Sequence, residues 1–439
     1  MTSEIGAPSF DVVVIGGSQA GLTIGYHLAQ RGLRFVILDA GPEVGQAWRS
    51  RWDSLTLFTP AQYSGLPGKA FPLPKNTYPS KDDVVAYLQS YASAFDLPVR
   101  LNAKVTSLTQ RDGGYVVATA DEEFMTSEVV VATGPFHVPF VPPVAGDLDE
   151  AVFQTHSGDY RNPAQLPQGG HVLVVGGGNS GFQIAEELAA TRRVDLAVGK
   201  RVPSLPQRLL GKDLFWWLSG IGFMKISTDS RLGRKLAKRD VLIGSSPRRL
   251  RHSGVTLRKR LTRAKGRRAV FEDGSEVDID AIVWATGYRS DFSWIDIPTI
   301  KDESGGIIHR RGVTGASGLF FIGLTWQHTR GSALIGFVDD DAAFIASHIG
   351  SRLEADRGLV GTGSSQRRKG TGWRWWRIPC AGCASTVKKL RGRSSTKARR
   401  STSVHRPATT PSRRTRARTL PEATGRFRTR RHPGSNVRA

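Results

Sequence analysis

The residues best suited to chemistry in this 439-residue chain are two glycine-rich turns. Gly176, Gly177, Gly178, Asn179, Ser180 and Gly181 carry a complete GxGxxG spacing. Gly16, Gly17, Ser18, Gln19, Ala20 and Gly21 carry the same spacing, with Ser18 where the middle glycine would stand. When a buried strand delivers such a turn to a helix N-terminus, backbone N–H groups and the helix dipole converge on one spot, which suits a pyrophosphate. The glycines allow the tight bend and the close approach of the ligand. A single copy is a weak signal, because a strand-to-helix turn without a ligand has the same spacing. Two copies, each after an apolar run and before an amphipathic segment, are a strong one.

The residues at the end of the following strand distinguish the two turns. Asp39 follows FVIL, 18 residues after Gly21, where a carboxylate accepts hydrogen bonds from a ribose diol. The second unit has Lys200 and Arg201 after DLAVG. Cations there suit a 2′-phosphate, which a carboxylate would repel, so NADPH is expected rather than NADH. Two further apolar runs end in the same tripeptide, Ala132, Thr133, Gly134 and Ala285, Thr286, Gly287, and each closes one nucleotide-binding unit.

The elements that position these turns follow from periodicity. DVVVI (11–15) is a short apolar run, as a strand buried on both faces requires, and helix-patterned GLTIGYHLAQRG (21–32) leads to a second strand, RFVIL. HVLVV (171–175), GFQIAEELAA (181–190) and a strand over 194–198 repeat the pattern. Between them, 78–95 reads as a helix entered through Pro79 and Ser80, and 99–131 as strands with a hairpin turn at Asp112, Gly113 and Gly114. Residues 205–268 read as a mostly helical insertion with Phe215, Trp216, Trp217 and Phe223. These aromatics are expected to be core between domains, with a substrate entry or a membrane-facing surface as alternatives.

The segments GGSQAGL, VGQAWRSRWDSLTLFTP, VVVATGPFHVPFVP, THSGDYRNP, VVGGGNSGFQIAEEL, DAIVWATGYRSDFSWID and GLFFIGLTWQHTRGSAL run in an order that resembles the flavin-containing monooxygenase-like flavoproteins, particularly the bacterial branch and the plant YUCCA-type enzymes. The resemblance covers about residues 10–350. It implies an α/β fold with two Rossmann-like dinucleotide-binding domains, the NADPH domain inserted within the FAD domain. The expected boundaries are 1–165 and 291–360 for the FAD domain, 166–290 for the NADPH domain with its helical insertion at about 205–250, and 361–439 for a tail. Carried over by position, 16–21, Asp39, Trp48 and 132–134 contact FAD, while 176–181, Lys200, Arg201 and 285–287 contact or flank NADPH. Gln327 and His328 come close to the flavin ring.

The implied reaction is reduction of FAD by NADPH, then oxygenation of a small organic substrate by a flavin peroxide formed with dioxygen. The family fingerprint FxGxxxHxxxW/F is only partly kept, as His156 and Tyr160, and His156 is expected to hydrogen-bond or pack between domains. A flavin reductase or oxidase without oxygen insertion, and a nucleotide-sensing regulatory flavoprotein linked to ion transport, are the alternatives. No catalytic residue can be named from the sequence, and no metal site is expected.

Composition bounds these expectations. The chain holds 62 Lys plus Arg and 38 Asp plus Glu, net +24, but 22 of the basic residues and only Glu422 among the acids lie in 361–439. The remaining 40 basic and 37 acidic residues make a near-neutral body. The body has no cysteine, which excludes a disulfide scaffold or thiolate metal site within it. With no signal-peptide pattern, a cytoplasmic protein is expected. The tail, poor in large apolar residues, reads as a disordered arm that contacts nucleic acid or an anionic surface, or as an out-of-frame extension. Its Cys380 and Cys383 form a CxxC, the spacing of a redox pair or of half a zinc site.

Overall fold

A computed structural model describes residues 10–361, apart from 112, 200–202 and 238–241. The basic tail with Cys380 and Cys383, and the expected phosphate-binding cations Lys200 and Arg201, therefore lie outside the described residues. The elements that matter for the site are, in chain order, β1 (Val12–Ile15), α1 (Gln19–Gln30), β2 (Phe35–Leu38), α2 (Lys81–Ala94), β3 (Val99–Arg100), β4 (Glu128–Val131), β5 (Phe153–His156), β6 (His171–Val175), α3 (Asn179–Leu188), β7 (Arg193–Ala197), α4 (Leu214–Gly220), β8 (Thr256–Arg258), β9 (Ala281–Trp284), β10 (His309–Arg310), β11 (Val313–Thr314), β12 (Leu319–Phe321) and α5 (Asp339–Gly361).

Two sheets organise the body. The first has the order β10-β11-β12-β4-β1-β2-β3, parallel from β12 to β3 with an antiparallel edge. The second, β8-β7-β6-β9-β5, is parallel throughout. All four residues of β1, β2, β4 and β9 are buried, as strands covered on both faces must be. Because β12 returns to the first sheet after the second is complete, the second nucleotide-binding fold is inserted within the first. The α/β architecture thus has the expected two Rossmann-like units.

Local chemistry explains the helices. Ser80 and Asp83 form a reciprocal capping box at the start of α2, and Val84, Tyr87, Leu88 and Tyr91 then turn one apolar stripe inward. Helix α5 lays Ala342, Ile345, Ala346 and Ile349 into the core shared with Leu22, Ile24 and Leu28 of α1, and Asp339 meets His27 at 2.6 Å.

The region after β7 departs from the helical expectation. Among its described residues it contains only short helices (Leu214–Gly220, Arg231–Ala237, Pro247–His252), interspersed with two-stranded pairs. From 256 onward it is strand: β8, then a three-stranded antiparallel sheet over 261–278. Gly222 (φ +70) ends the Leu214–Gly220 helix with a left-handed turn, and Gly266 (φ +59) turns the hairpin between the strands at 261–265 and 268–271. Phe215 is fully buried, stacked on Phe58 at 6.1 Å and flanked by Tyr63 and Phe337, so it belongs to the core between the insertion and the first unit. Trp216 does not: it is exposed.

At the end of the first sheet opposite the glycine turns, Glu128 on β4 is completely buried. One carboxylate oxygen accepts from Arg352 of α5 at 3.1 Å and the other has no partner. Burial raises this carboxyl to about 7 from its ordinary 4.5, against the opposing pull of Arg352. The neutral acid's stabilising contribution is complete below pH 4.5 and lost as the pH rises to about 7, a change of roughly 3 kcal/mol. Glu128→Gln, neutral at every pH, should gain on the wild type by several degrees of Tm between about pH 5 and 8. Parallel melting profiles across that range would contradict the buried-acid account.

Candidate functional site

Both glycine turns sit where a strand's C-terminal end meets a helix N-terminus, β1 to α1 and β6 to α3, and both are built by the same steric constraint. Gly16 (φ +106) lies against Ala132, whose carbonyl oxygen would be 2.8 Å from an added Cβ. Gly21 lies so close to Gly16 that its Cβ would be 1.8 Å from the Gly16 carbonyl oxygen. In the second unit, a Cβ on Gly176 (φ +138) would meet the Ala285 carbonyl oxygen at 2.0 Å, and one on Gly181 the Gly176 carbonyl oxygen at 2.2 Å. The structure thus brings the alanine of each tripeptide, Ala132 and Ala285, against its glycine turn. Gly134 (φ +70) and Gly287 (φ +84) end those tripeptides in left-handed turns.

The missing middle glycine is explained by the same geometry. Gly178 is the N-cap of α3 with ordinary φ of −85°, and nothing lies within 4 Å of a Cβ built on it. Ser18 is the N-cap of α1 with φ of −89°. A side chain at this position therefore strains nothing. The Ser18 hydroxyl donates to Gln19 Oε1 at 2.6 Å, and Trp48 Nε1 donates to the same oxygen at 3.1 Å. Trp48 thus reaches the first turn of α1, and it packs against the cores of both sheets.

Asp39, at the end of β2, is held in place by backbone. One carboxylate oxygen accepts from Gly17 N–H at 2.6 Å and the other from Gly41 N–H at 2.7 Å. A carboxylate has about four acceptor sites, so both oxygens keep capacity for a diol. The first-turn N–H groups of α1, which have no intrahelical acceptor, lie beside it. A strictly left-handed Gly16, a Gly21 that admits no Cβ and an anchored carboxylate form a cradle that fits a dinucleotide. The second turn repeats the cradle without the carboxylate, and at the end of β7 the Arg260 guanidinium lies 3.3 Å from where a Gly199 Cβ would stand. Arg260 is not evident from sequence, because it arrives from the link just after β8, 61 residues from Gly199.

A network links the two units. His156 Nδ1 accepts from Gly158 N–H at 3.0 Å, so the imidazole proton sits on Nε2 and is donated to the Gly287 carbonyl at 3.0 Å. Burial lowers the His156 pKa, with the Gly287 carbonyl opposing, and keeps the ring neutral near pH 7. The ring packs edge-on against Tyr288 at 5.0 Å, and the Tyr288 hydroxyl accepts from Arg51 at 2.7 Å. His156 thus hydrogen-bonds and packs within the second sheet's unit rather than between domains, and the link to the first unit runs through its neighbour Tyr288 and Arg51, which sequence spacing does not reveal. Tyr160 is buried and donates to Glu187 at 2.7 Å. Thr286 donates its hydroxyl to the Phe140 carbonyl.

Gln327 and His328 lie on the turn that follows β12. Gly323, at the start of their turn, abuts Ala20 of α1, but Gln327 is buried with its Oε1 accepting from Leu324 N–H at 3.3 Å. His328 contacts Ser227 at 3.2 Å and lines a cavity of about 800 Å³ beside the β10–β11 edge, together with His309 and Phe344. No residue of either glycine turn lines that cavity. A smaller cleft of about 400 Å³ lies between the two units, lined by Leu57, Phe58 and Tyr78 on one side and Gln183, Glu187 and Ser245 on the other.

The cradle geometry sets a test. Ser18→Gly should leave the bound-flavin content of the purified protein unchanged, whereas Gly21→Ala should reduce it at least about tenfold, because the helix must move off Gly16. Loss of flavin from Ser18→Gly, or retention in Gly21→Ala, would contradict the steric account.

Comparison with known proteins agrees with this architecture. Residues 13–206 match the family described as pyridine nucleotide-disulphide oxidoreductase, and residues 195–324 match flavin-binding monooxygenase-like. An uncharacterized CzcO-like oxidoreductase of Geobacillus kaustophilus is 44% identical over 341 residues, spanning 77% of this chain and 98% of that protein. The indole-3-pyruvate monooxygenase YUCCA1 of Oryza sativa is 29% identical, over 79% of this chain and 93% of that protein. A flavin-containing monooxygenase from Stenotrophomonas maltophilia superposes with a TM-score of 0.67 at 28% identity, covering 79% of this chain and all of that one. The chain belongs to the CzcO-like oxidoreductases of the flavin-binding monooxygenase-like family.

Proposed function

We propose that this flavin oxidoreductase is an NADPH-dependent, FAD-containing monooxygenase acting on a small organic substrate. The observation that carries the proposal is the pair of glycine cradles, Gly16 with Gly21 and Gly176 with Gly181, set in two interleaved sheets and differing in the charge that follows. FAD occupies the unit of the first sheet, against Gly16 to Gly21, Trp48 and Ala132 to Gly134, with its ribose on Asp39. NADPH occupies the unit of the second sheet, which takes in β5 (Phe153–His156) and so begins before the expected boundary at 165/166, against Gly176 to Gly181 and Ala285 to Gly287. Its 2′-phosphate is matched by Lys200 and Arg201 in sequence and by Arg260, whose guanidinium stands beside Gly199. The chemistry supplied by the bound cofactors is hydride delivery from the nicotinamide and oxygen activation by the reduced flavin.

The chain's own residues bind, orient and exclude water. Arg51, Tyr288 and His156 fix one unit against the other, which matters because hydride transfer tolerates little misplacement. Phe58, Tyr63, Phe215 and Phe337 form a dry wall where the insertion meets the first unit. The cleft between the units is large enough for a small organic molecule.

The test uses the purified holoprotein. NADPH added without oxygen should bleach the flavin faster than NADH does, and Arg260→Ala should raise the KM for NADPH about tenfold while leaving that for NADH nearly unchanged. With labelled dioxygen, a turnover substrate should acquire one labelled oxygen atom per NADPH consumed. Quantitative release of hydrogen peroxide with every candidate substrate would select a reductase or oxidase instead.

A further inference from the structure

We propose that the hairpin tip Leu209–Leu210 and Trp216 form an interfacial anchor that seats this protein on an anionic lipid surface. Six of the eleven exposed large apolar residues of the described chain, Leu205, Leu209, Leu210, Trp216, Ile221 and Leu232, fall in one stretch of 28 residues. Single exposed apolar residues need no explanation, but such a concentration does.

The hairpin pairs Arg208–Leu209 with Lys212–Asp213, leaving Leu210 and Gly211 as a two-residue loop with φ of +50° and +75°. Two successive left-handed residues make the turn class that selects Asn-Gly, because a residue with a Cβ is disfavoured there. Leu210 takes that conformation with 82% of its surface in solvent. Neither burial nor backbone preference explains a leucine at this position, whereas insertion into an apolar layer does. The tip is held on helix α4: Trp217 Nε1 donates to the Leu209 carbonyl at 3.0 Å, and Lys212 Nζ lies 5.7 Å from the ring centre of the half-exposed Trp216. Tryptophan beside lysine is suited to the boundary between acyl chains and headgroups.

Charge identifies the surface. Between 204 and 237 the exposed charged residues are Arg208, Lys212, Lys225, Arg231, Arg234 and Lys235 against Asp229 alone, which faces Arg310 at 3.8 Å, while Asp213 is buried. Apolar tips flanked by cations, as Arg208 and Lys212 flank Leu209 and Leu210, are complementary to lipid headgroups of negative charge. Among the described residues no helix is long and apolar enough to cross a membrane, so the association is with a surface. The anchor is independent of the oxygenation chemistry and leaves the cofactor cradles untouched.

Flotation of the full-length holoprotein with phosphatidylcholine vesicles, with and without about one third phosphatidylglycerol, tests the proposal at near-physiological salt, where surface cations still select anionic lipid. The wild type should float with the anionic vesicles only. Leu210→Asp with Trp216→Ser should lower the bound fraction at least fivefold, Leu210→Phe should preserve it, and all variants should keep the wild-type flavin spectrum and Tm. Absence of wild-type binding would overturn the proposal. So would equal binding by the double variant, which would assign attachment to other cations. A wild-type dimer in sedimentation that the double variant dissolves, without vesicle binding, would make the patch a contact between copies and equally overturn it.

Discussion

The structure depends on how closely α1 and α3 approach the strands that precede them. At Gly21 and at Gly181 the helix backbone comes within a distance of the preceding turn that no side chain permits. This steric contact sets each helix N-terminus over the end of its strand, so that N–H groups and dipole converge on one point. The tripeptides of β4 and β9 close the opposite side by the same means, through the carbonyls of Ala132 and Ala285. Without those contacts the chain would still fold parallel sheets. It would not present two anion sites.

The two sites then have to face one another. That task falls to groups outside the cradles: the neutral His156, held between Gly158 and Gly287, the Tyr288 ring beside it, and Arg51 reaching from the first unit. The insertion adds the aromatic contact of Phe215 with Phe58 and Phe337. Polar contacts set direction while aromatic contacts exclude water, which is the division of labour that a cofactor-driven reaction requires of its protein.

Much of this was legible in the sequence, for local reasons. VVVI, FVIL, the VVV of β4 and AIVW are continuous apolar runs because both faces of each strand are covered, and the Ser80–Asp83 box marks its helix start within four residues. What was not legible depends on pairs distant in the chain. Arg51 meets Tyr288 across 237 positions, and Glu128 meets Arg352 across 224. The region after β7 reads as mostly helical because Trp- and Leu-rich segments have the same composition in short helices and in strands. The burial of Gln327 in the 324–327 turn likewise follows from a hydrogen bond that no spacing reveals.

The account's central claim is that two separate cradles hold two separate nucleotides. The most direct measurement is a titration of Gly181→Ala holoprotein with NADP⁺, with the flavin-to-protein ratio recorded on the same sample. The account predicts a ratio equal to that of the wild type together with an NADP⁺ affinity at least about tenfold weaker. Equal loss of flavin and of NADP⁺ binding, or no loss of either, would contradict it.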